Sequence, residues 1–131
     1  QPDIDLERLE VKPHIELSSP YSSRLPLTWI GILKDRIKAD LAGTRGIHTG
    51  KDAIKMLMVG AKVTMICSAI LKNGIDHIKT IEEQMIKWLE EKEYESVRQM
   101  TGSMSQKKVR DQSAFERAQY MKALVNYQYK M

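Results

Sequence analysis

Gly43-Thr-Arg-Gly-Ile-His-Thr-Gly-Lys-Asp52 is the stretch that decides how this chain folds. Gly43 to Gly46 has the composition of a tight turn. Thr49-Gly-Lys-Asp52 is an S/T-x-x-D/E box, whose hydroxyl and carboxylate cap the first free N–H groups of a helix. The helix it opens carries Ile54, Leu57 and Met58 and stops at Gly60, a residue suited to a left-handed cap. Lys62-Val-Thr-Met-Ile-Cys67 follows as a short β-branched apolar run, which suits a strand buried on both faces. Upstream, Lys38-Ala-Asp-Leu-Ala-Gly43 has weak β propensity and reads as a strand only because of its flanks.

Working outward, Leu27, Ile30, Leu33 and Ile37 form an apolar stripe behind Pro26, which suits a first helical turn; a helix over 26–37 is expected. Residues 1–25 hold Pro2, Pro13, Pro20 and the Ser-rich stretch Ser18–Ser23. They read as an irregular connection with a short strand near His14–Leu17, since proline removes backbone donors and biases its predecessor away from helix. Ser68 to Gly74 leads into a third helix over Asp76–Lys92, with Ile78, Ile81, Met85 and Trp88 on one side and Glu82, Glu83, Glu90 and Glu91 largely opposite. The remainder is a tail. A linker centres on Thr101–Gly102, and Ser113-Ala-Phe-Glu116 is a second capping box that opens a final helix to Tyr127.

Helix, strand, helix, strand, helix with short connections is the order of β/α units feeding a parallel sheet. Two strands cannot make a stable parallel sheet, because each needs cover on both faces and neighbours on both edges. The expected class is therefore α/β, as part of a larger barrel or open sheet. Residues 1–25 are the irregular connection from a missing N-terminal part, 26–97 two β/α units with the helix before them, and 98–131 a basic linker and helical tail. Such a piece exposes strand edges, so its expected partners are the remaining N-terminal portion or further copies of itself in a homo-oligomer.

The chain's 131 residues carry 21 Lys plus Arg against 17 Asp plus Glu, a net charge of +4. Residues 1–97 are net −1 and residues 98–131 net +5, so the excess sits in the tail rather than in a basic stripe over the folded part. Nucleic acid is not an expected partner. Lys107, Lys108 and Arg110 beside Gly102, Ser103 and Ser105 read as a solvated loop. One cysteine excludes a disulfide scaffold. The longest apolar run, Met56–Ala61, is far short of the roughly 18–20 residues of a membrane helix, so no membrane partner is expected. The chain opens Gln1-Pro2 with no Met and no signal-like segment, which reads as a processed or partial chain of the cytoplasm.

The leading site candidate is the turn Gly43, Thr44, Arg45 and Gly46. A glycine-containing loop between a strand end and a helix start presents several backbone N–H groups backed by the helix dipole, an arrangement that cradles phosphate. It matches neither the Walker pattern nor GxGxxG, so a dinucleotide site is not supported, and many such turns bind nothing. The second candidate is Cys67 and Ser68, which end the next strand. In (β/α)8 barrels the loops after the last two strands, with a short extra helix, often share one phosphate site. His48 reads as a helix-start capper and Cys67 as a packed strand end. His14 and His77 have no partner at ligand spacing, so no metal is expected. Glu90, Glu91 and Glu93 read as a solvated face. Tyr120, Tyr127 and Tyr129 suit either a partner patch or cover for a barrel end.

Ala42-Gly-Thr-Arg-Gly-Ile47, His48-Thr-Gly-Lys-Asp-Ala-Ile54, Gly60-Ala61 and Val63-Thr-Met-Ile-Cys-Ser-Ala-Ile70 together resemble the C-terminal part of the dihydroorotate dehydrogenase family. Leu25-Pro-Leu-Thr-Trp-Ile30, Tyr94-Glu-Ser-Val-Arg-Gln-Met100 and Gly102-Ser-Met-Ser-Gln106 are similar to a bacterial subgroup of it. The resemblance covers residues 25–100. It implies the last two units of a flavin-dependent TIM (β/α)8 barrel, with FMN phosphate held by backbone N–H groups at Arg45, Gly46, Cys67 and Ser68. Two residues depart from the pattern. Arg45 stands where the family has glycine, at a cost of about 1 kcal/mol or more if φ is positive there, which a guanidinium–phosphate pair can offset. Cys67 replaces a usual Gly or Ala. The family's catalytic base, flavin lysine and pyrimidine-binding asparagines lie on earlier strands, so the resemblance implies an oxidoreductase in pyrimidine biosynthesis whose C-terminal piece holds no catalytic residue and is inactive alone. Two rival readings are a non-enzymatic β/α phosphate-binding or assembly module and a basic helical adaptor acting through the tail.

Overall fold

The computed structural model describes residues 2–13, 15–116 and 125. Element order is β1 (Pro2–Asp5), β2 (Glu10–Pro13), α1 (Arg24–Leu33), β3 (Ala42–Thr44), α2 (Gly50–Val59), β4 (Val63–Met65), α3 (Ser68–Asn73), α4 (His77–Glu91) and α5 (Val97–Met100). The class is mixed α/β. β1 and β2 form an antiparallel hairpin and β3 and β4 a parallel pair, in register Ala42↔Val63, Gly43↔Thr64 and Thr44↔Met65. Parallel strands need a crossover, and α2 supplies it.

α2 forms where the capping box placed it. Thr49 is the extended N-cap: its hydroxyl accepts from the Asp52 N–H, and the Asp52 carboxylate accepts from the Thr49 N–H at 3.0 Å. Gly60 closes the helix at φ 122°, a conformation that L side chains rarely adopt. Between these ends α2 buries Ala53, Ile54, Met56, Leu57 and Val59. One cluster unites Ile30 of α1, Ile47, Met56, Ala61 and Ile81 of α4; a second unites Ile54, Leu57 and Met100. Trp88 stacks on Tyr94 at the edge of the second cluster, ring centroids 5.8 Å apart. α2 is thus the central element, packed between α1 and α4.

Several expectations need correction. The strand expected near His14–Leu17 is absent at residues 15–17, and the hairpin lies earlier; His14 is outside the described residues. The helix expected over 26–37 is Arg24–Leu33, followed by a turn. The strand expected over 38–43 is only Ala42–Thr44, because exposed Lys38, Ala39 and Asp40 bury nothing against α2. The strand expected over 62–67 is Val63–Met65 and is not buried on both faces: Val63 is 54% and Met65 59% exposed. Strand geometry explains it. Gly43 faces α2, close to Met56, so Ala42 and Thr44, and Val63 and Met65 beside them in register, face the other way, where no element among the described residues covers them.

The solvated loop expected of Lys107, Lys108 and Arg110 beside Gly102, Ser103 and Ser105 holds for the three basic residues, which are exposed, but Gly102 and Ser105 are buried. Gly102 N–H donates to Leu57 O, Met104 N–H to Met58 O, and Gln106 N–H to Gly31 O, so this segment satisfies carbonyls near the C-terminal end of α2 and within α1. Ser105 is fully buried, and its hydroxyl donates to Asp35 Oδ2 at 2.6 Å. Gln106 accepts from Arg36 Nη2 and donates to Glu116 Oε1. Serine and glutamine are buried here because each polar group finds a partner. Ser113 does not cap a helix: Asp111 accepts from the Ser113 N–H, and Gln112–Phe115 is a 3₁₀ turn ending at extended Glu116. Phe115 lies over Gly31 of α1. The rest of the expected final helix, apart from Val125, and with it Tyr120, Tyr127 and Tyr129, lies outside the described residues.

Candidate functional site

β3 and β4 run side by side in the same direction, so the turns after Thr44 and Met65 emerge together. Thr44, Arg45, Gly46, Cys67 and Ser68 line one open cleft of about 440 Å³. Its far wall is the segment Ile15–Ser19, with Ser22. Gly43 is not at the cleft. It is buried against α2, where a Cβ would stand 3.1 Å from Met56 Cβ, so its place in the sequence pattern reports strand-to-helix packing.

The first turn uses two consecutive left-handed residues, Arg45 at φ 73° and Gly46 at φ 70°. For Arg45 this backbone is strained, about 1–2 kcal/mol for an L residue, and its side chain is exposed at the rim. Gly46 is buried, and a Cβ there would meet Ser23 N at 2.4 Å and Ser19 O at 2.9 Å. Only glycine fits. The turn is therefore pressed against the 18–23 segment by contacts that no side chain permits.

Ser18 joins the two turns, and sequence reasoning missed it. Gly46 N–H donates to Ser18 Oγ at 3.2 Å, Ser18 Oγ meets Ser68 Oγ at 3.0 Å, and Ser18 N–H donates to Ser68 Oγ at 3.0 Å. The Ser-rich stretch from Ser18 to Ser23 was the available signal, but nothing in it singles out one hydroxyl. The Gly46 amide, expected to face a ligand, is thus held by a protein oxygen. A shared proton count also follows: two hydroxyls face each other, only one proton lies between them, and the other remains available to the cleft.

Cys67 is exposed at the start of α3, not packed, since the β4 face it follows is uncovered. His48 does not cap with its ring. Its backbone N–H donates to Asp52 Oδ2, its carbonyl accepts from His77, and its buried Nε2 has no partner among the described residues. Because a carbonyl only accepts, the His77 Nε2 at 2.8 Å carries the proton. Both histidines thus serve the junction of α2 and α4. Glu90, Glu91 and Glu93 are exposed. Among the described residues no group of three His, Cys, Asp or Glu is arranged to hold a metal, and no helix is long and apolar enough to cross a membrane.

No family model matches the chain. Individual proteins do. Over 108 residues, 79% of this chain, it is 29% identical to the dihydroorotate dehydrogenase (fumarate) of Saccharomyces mikatae, covering 34% of that protein. The chain is related to the dihydroorotate dehydrogenases. It is also 30% identical over 85 residues to the catalytic subunit of dihydroorotate dehydrogenase B (NAD(+)) of Pyrococcus furiosus, 65% of this chain and 28% of that one. The chloroplastic dihydropyrimidine dehydrogenase (NADP(+)) of Arabidopsis thaliana is 22% identical over 112 residues, 76% of this chain and 26% of its own. The chain spans about a third of the length of the first of these relatives. All three are dehydrogenases, so the relationship is to a family of oxidoreductases.

Proposed function

We propose that this chain is the C-terminal portion of a dihydroorotate dehydrogenase-like flavin oxidoreductase, built as the last β/α units of a (β/α)8 barrel, and that its cleft holds the FMN phosphate. The observation that carries this reading is the meeting of two strand-end turns at one cleft, with Ser18 in hydrogen-bond contact with both. The residues fit a phosphate monoester. Gly46 lets backbone approach closely, the Ser68 hydroxyl stands at the cleft as a donor, and the Arg45 guanidinium stands at the rim for a charge-assisted bond. When bound, FMN supplies the hydride- and electron-accepting chemistry of the whole enzyme. This chain's share is to hold and orient the phosphate end; base and substrate-binding groups belong to earlier strands.

The bare face of β3 and β4 supports the barrel reading, since Val63 and Met65 await cover from the rest of the barrel or from further copies. Expression with the upstream coding sequence tests it. A protein that purifies with flavin absorbance, retains FMN over riboflavin, and loses that preference in Arg45→Ala and Ser68→Ala supports the assignment. A well-folded, colourless protein that binds neither flavin overturns it and favours the non-enzymatic assembly module.

A further inference from the structure

Ser18 Oγ occupies the position on the Gly46 amide that an anion oxygen would take. Resting on the phosphate reading above, we infer that the Ser18 hydroxyl is an exchangeable stand-in for an oxygen of a bound phosphate, released from Gly46 by rotation about χ1 alone. The hydrogen-bond pattern makes the exchange local. Ser18 has two ties to Ser68, one from its backbone N–H and one through its hydroxyl. Turning the hydroxyl to another staggered well breaks the hydroxyl tie and frees the Gly46 N–H. The backbone tie at 3.0 Å survives, so residues 15–19 stay in place as the cleft wall.

Two physical facts favour this arrangement. Gly46 is buried, and a buried N–H without an acceptor is costly, so the cleft needs an internal acceptor whenever phosphate is absent. The 3.2 Å contact is also at the long end for N–H···O, and a charged phosphate oxygen forms the shorter and stronger bond. Phosphate therefore competes with Ser18 for one donor and wins it at the expense of two neutral hydrogen bonds, Gly46 to Ser18 and Ser18 to Ser68, with the freed hydroxyl returned to water. The site recognises phosphate in exchange for a hydroxyl rather than by filling an empty cradle.

The sign of one substitution tests the inference. Ser18→Ala removes the competitor, and inorganic phosphate should bind two- to tenfold more tightly, the range that one net hydrogen bond covers. Ser18→Thr, which keeps the hydroxyl, should bind as the parent does. Titration of the ¹⁵N-labelled protein with inorganic phosphate, following the Gly46 amide, gives all three affinities. In the parent protein, Ser18 Hα–Hβ couplings should report a changed χ1 on saturation while the Ser18 amide stays protected. Equal or weaker binding by Ser18→Ala, or unchanged couplings at saturating phosphate, overturns the exchange and makes Ser18 a fixed part of the cradle. If phosphate moves the Gly46 and Ser68 amides in none of the three proteins, the anion site itself is refuted.

Discussion

Gly46→Ala separates the two reasons for glycine at the cleft. Gly46 has φ 70° and Gly102 has φ 74°, so alanine meets the same left-handed penalty at both, about 1–2 kcal/mol. That penalty is partly offset, by about 0.5 kcal/mol, because alanine also restricts the unfolded chain. The surroundings differ. At Gly102 the nearest atom to an added Cβ is the flexible Lys34 Cε at 3.4 Å, an ordinary contact; at Gly46 it is backbone, Ser23 N at 2.4 Å and Ser19 O at 2.9 Å. Relieving those contacts moves backbone by up to about an ångström, an overpacking cost of roughly 1–3 kcal/mol. Gly102→Ala should therefore cost about 1 kcal/mol and Gly46→Ala about 2–4 kcal/mol. With a urea slope of about 2 kcal/mol/M for a domain of this size, the two midpoints should differ by about 0.5–1.5 M. Equal midpoints would mean that the 18–23 segment neither presses on the turn nor walls the cleft.

Arg45→Gly should raise stability by about 0.5–1 kcal/mol, since it relieves a φ of 73° but loosens the unfolded chain. The same variant should weaken phosphate binding several-fold if the guanidinium pairs with the anion; thermal unfolding and phosphate titration together read both signs. Met56→Ala removes a side chain with 0% exposure at the centre of the first cluster and should cost about 2–5 kcal/mol in chemical denaturation. Ser105→Ala should cost about 1–2 kcal/mol by the same assay, because it deletes a buried donor to an exposed carboxylate, Asp35. In the hairpin, the Lys12 ammonium first, with the Arg8 and Glu7 backbone N–H groups, holds the Asp5 carboxyl below its ordinary range. A depressed carboxyl stabilises above its unfolded-state value, and that support is lost as pH falls through the folded one. Hairpin amide shifts should therefore change on acidification, and Lys12→Met should move the Asp5 titration upward.

The local elements were legible because their signals are local. Thr49 and Asp52 are three residues apart, so the hydroxyl and carboxylate of one short peptide write the start of α2, and Gly60 writes its end. The Ile81 stripe likewise announced α4. Ser105 misled because polar residues are normally solvated, and only its partner Asp35, 70 positions away, makes burial possible. The shortened β3 and β4 misled for a related reason: propensity marks a strand, whereas its length depends on what covers it.

From its sequence alone the chain determined its β/α order, the α2 boundaries and the turn that carries Arg45 and Gly46, because capping and handedness act within a few bonds. Tertiary structure alone decided that Gly43 packs behind the cleft, that Arg45 adopts positive φ, and that Ser18 bridges Gly46 to Ser68. The Ser18 bridge joins residues 28 and 50 positions apart, and a hydrogen bond between distant groups exists only once the parallel pair has brought two strand ends together.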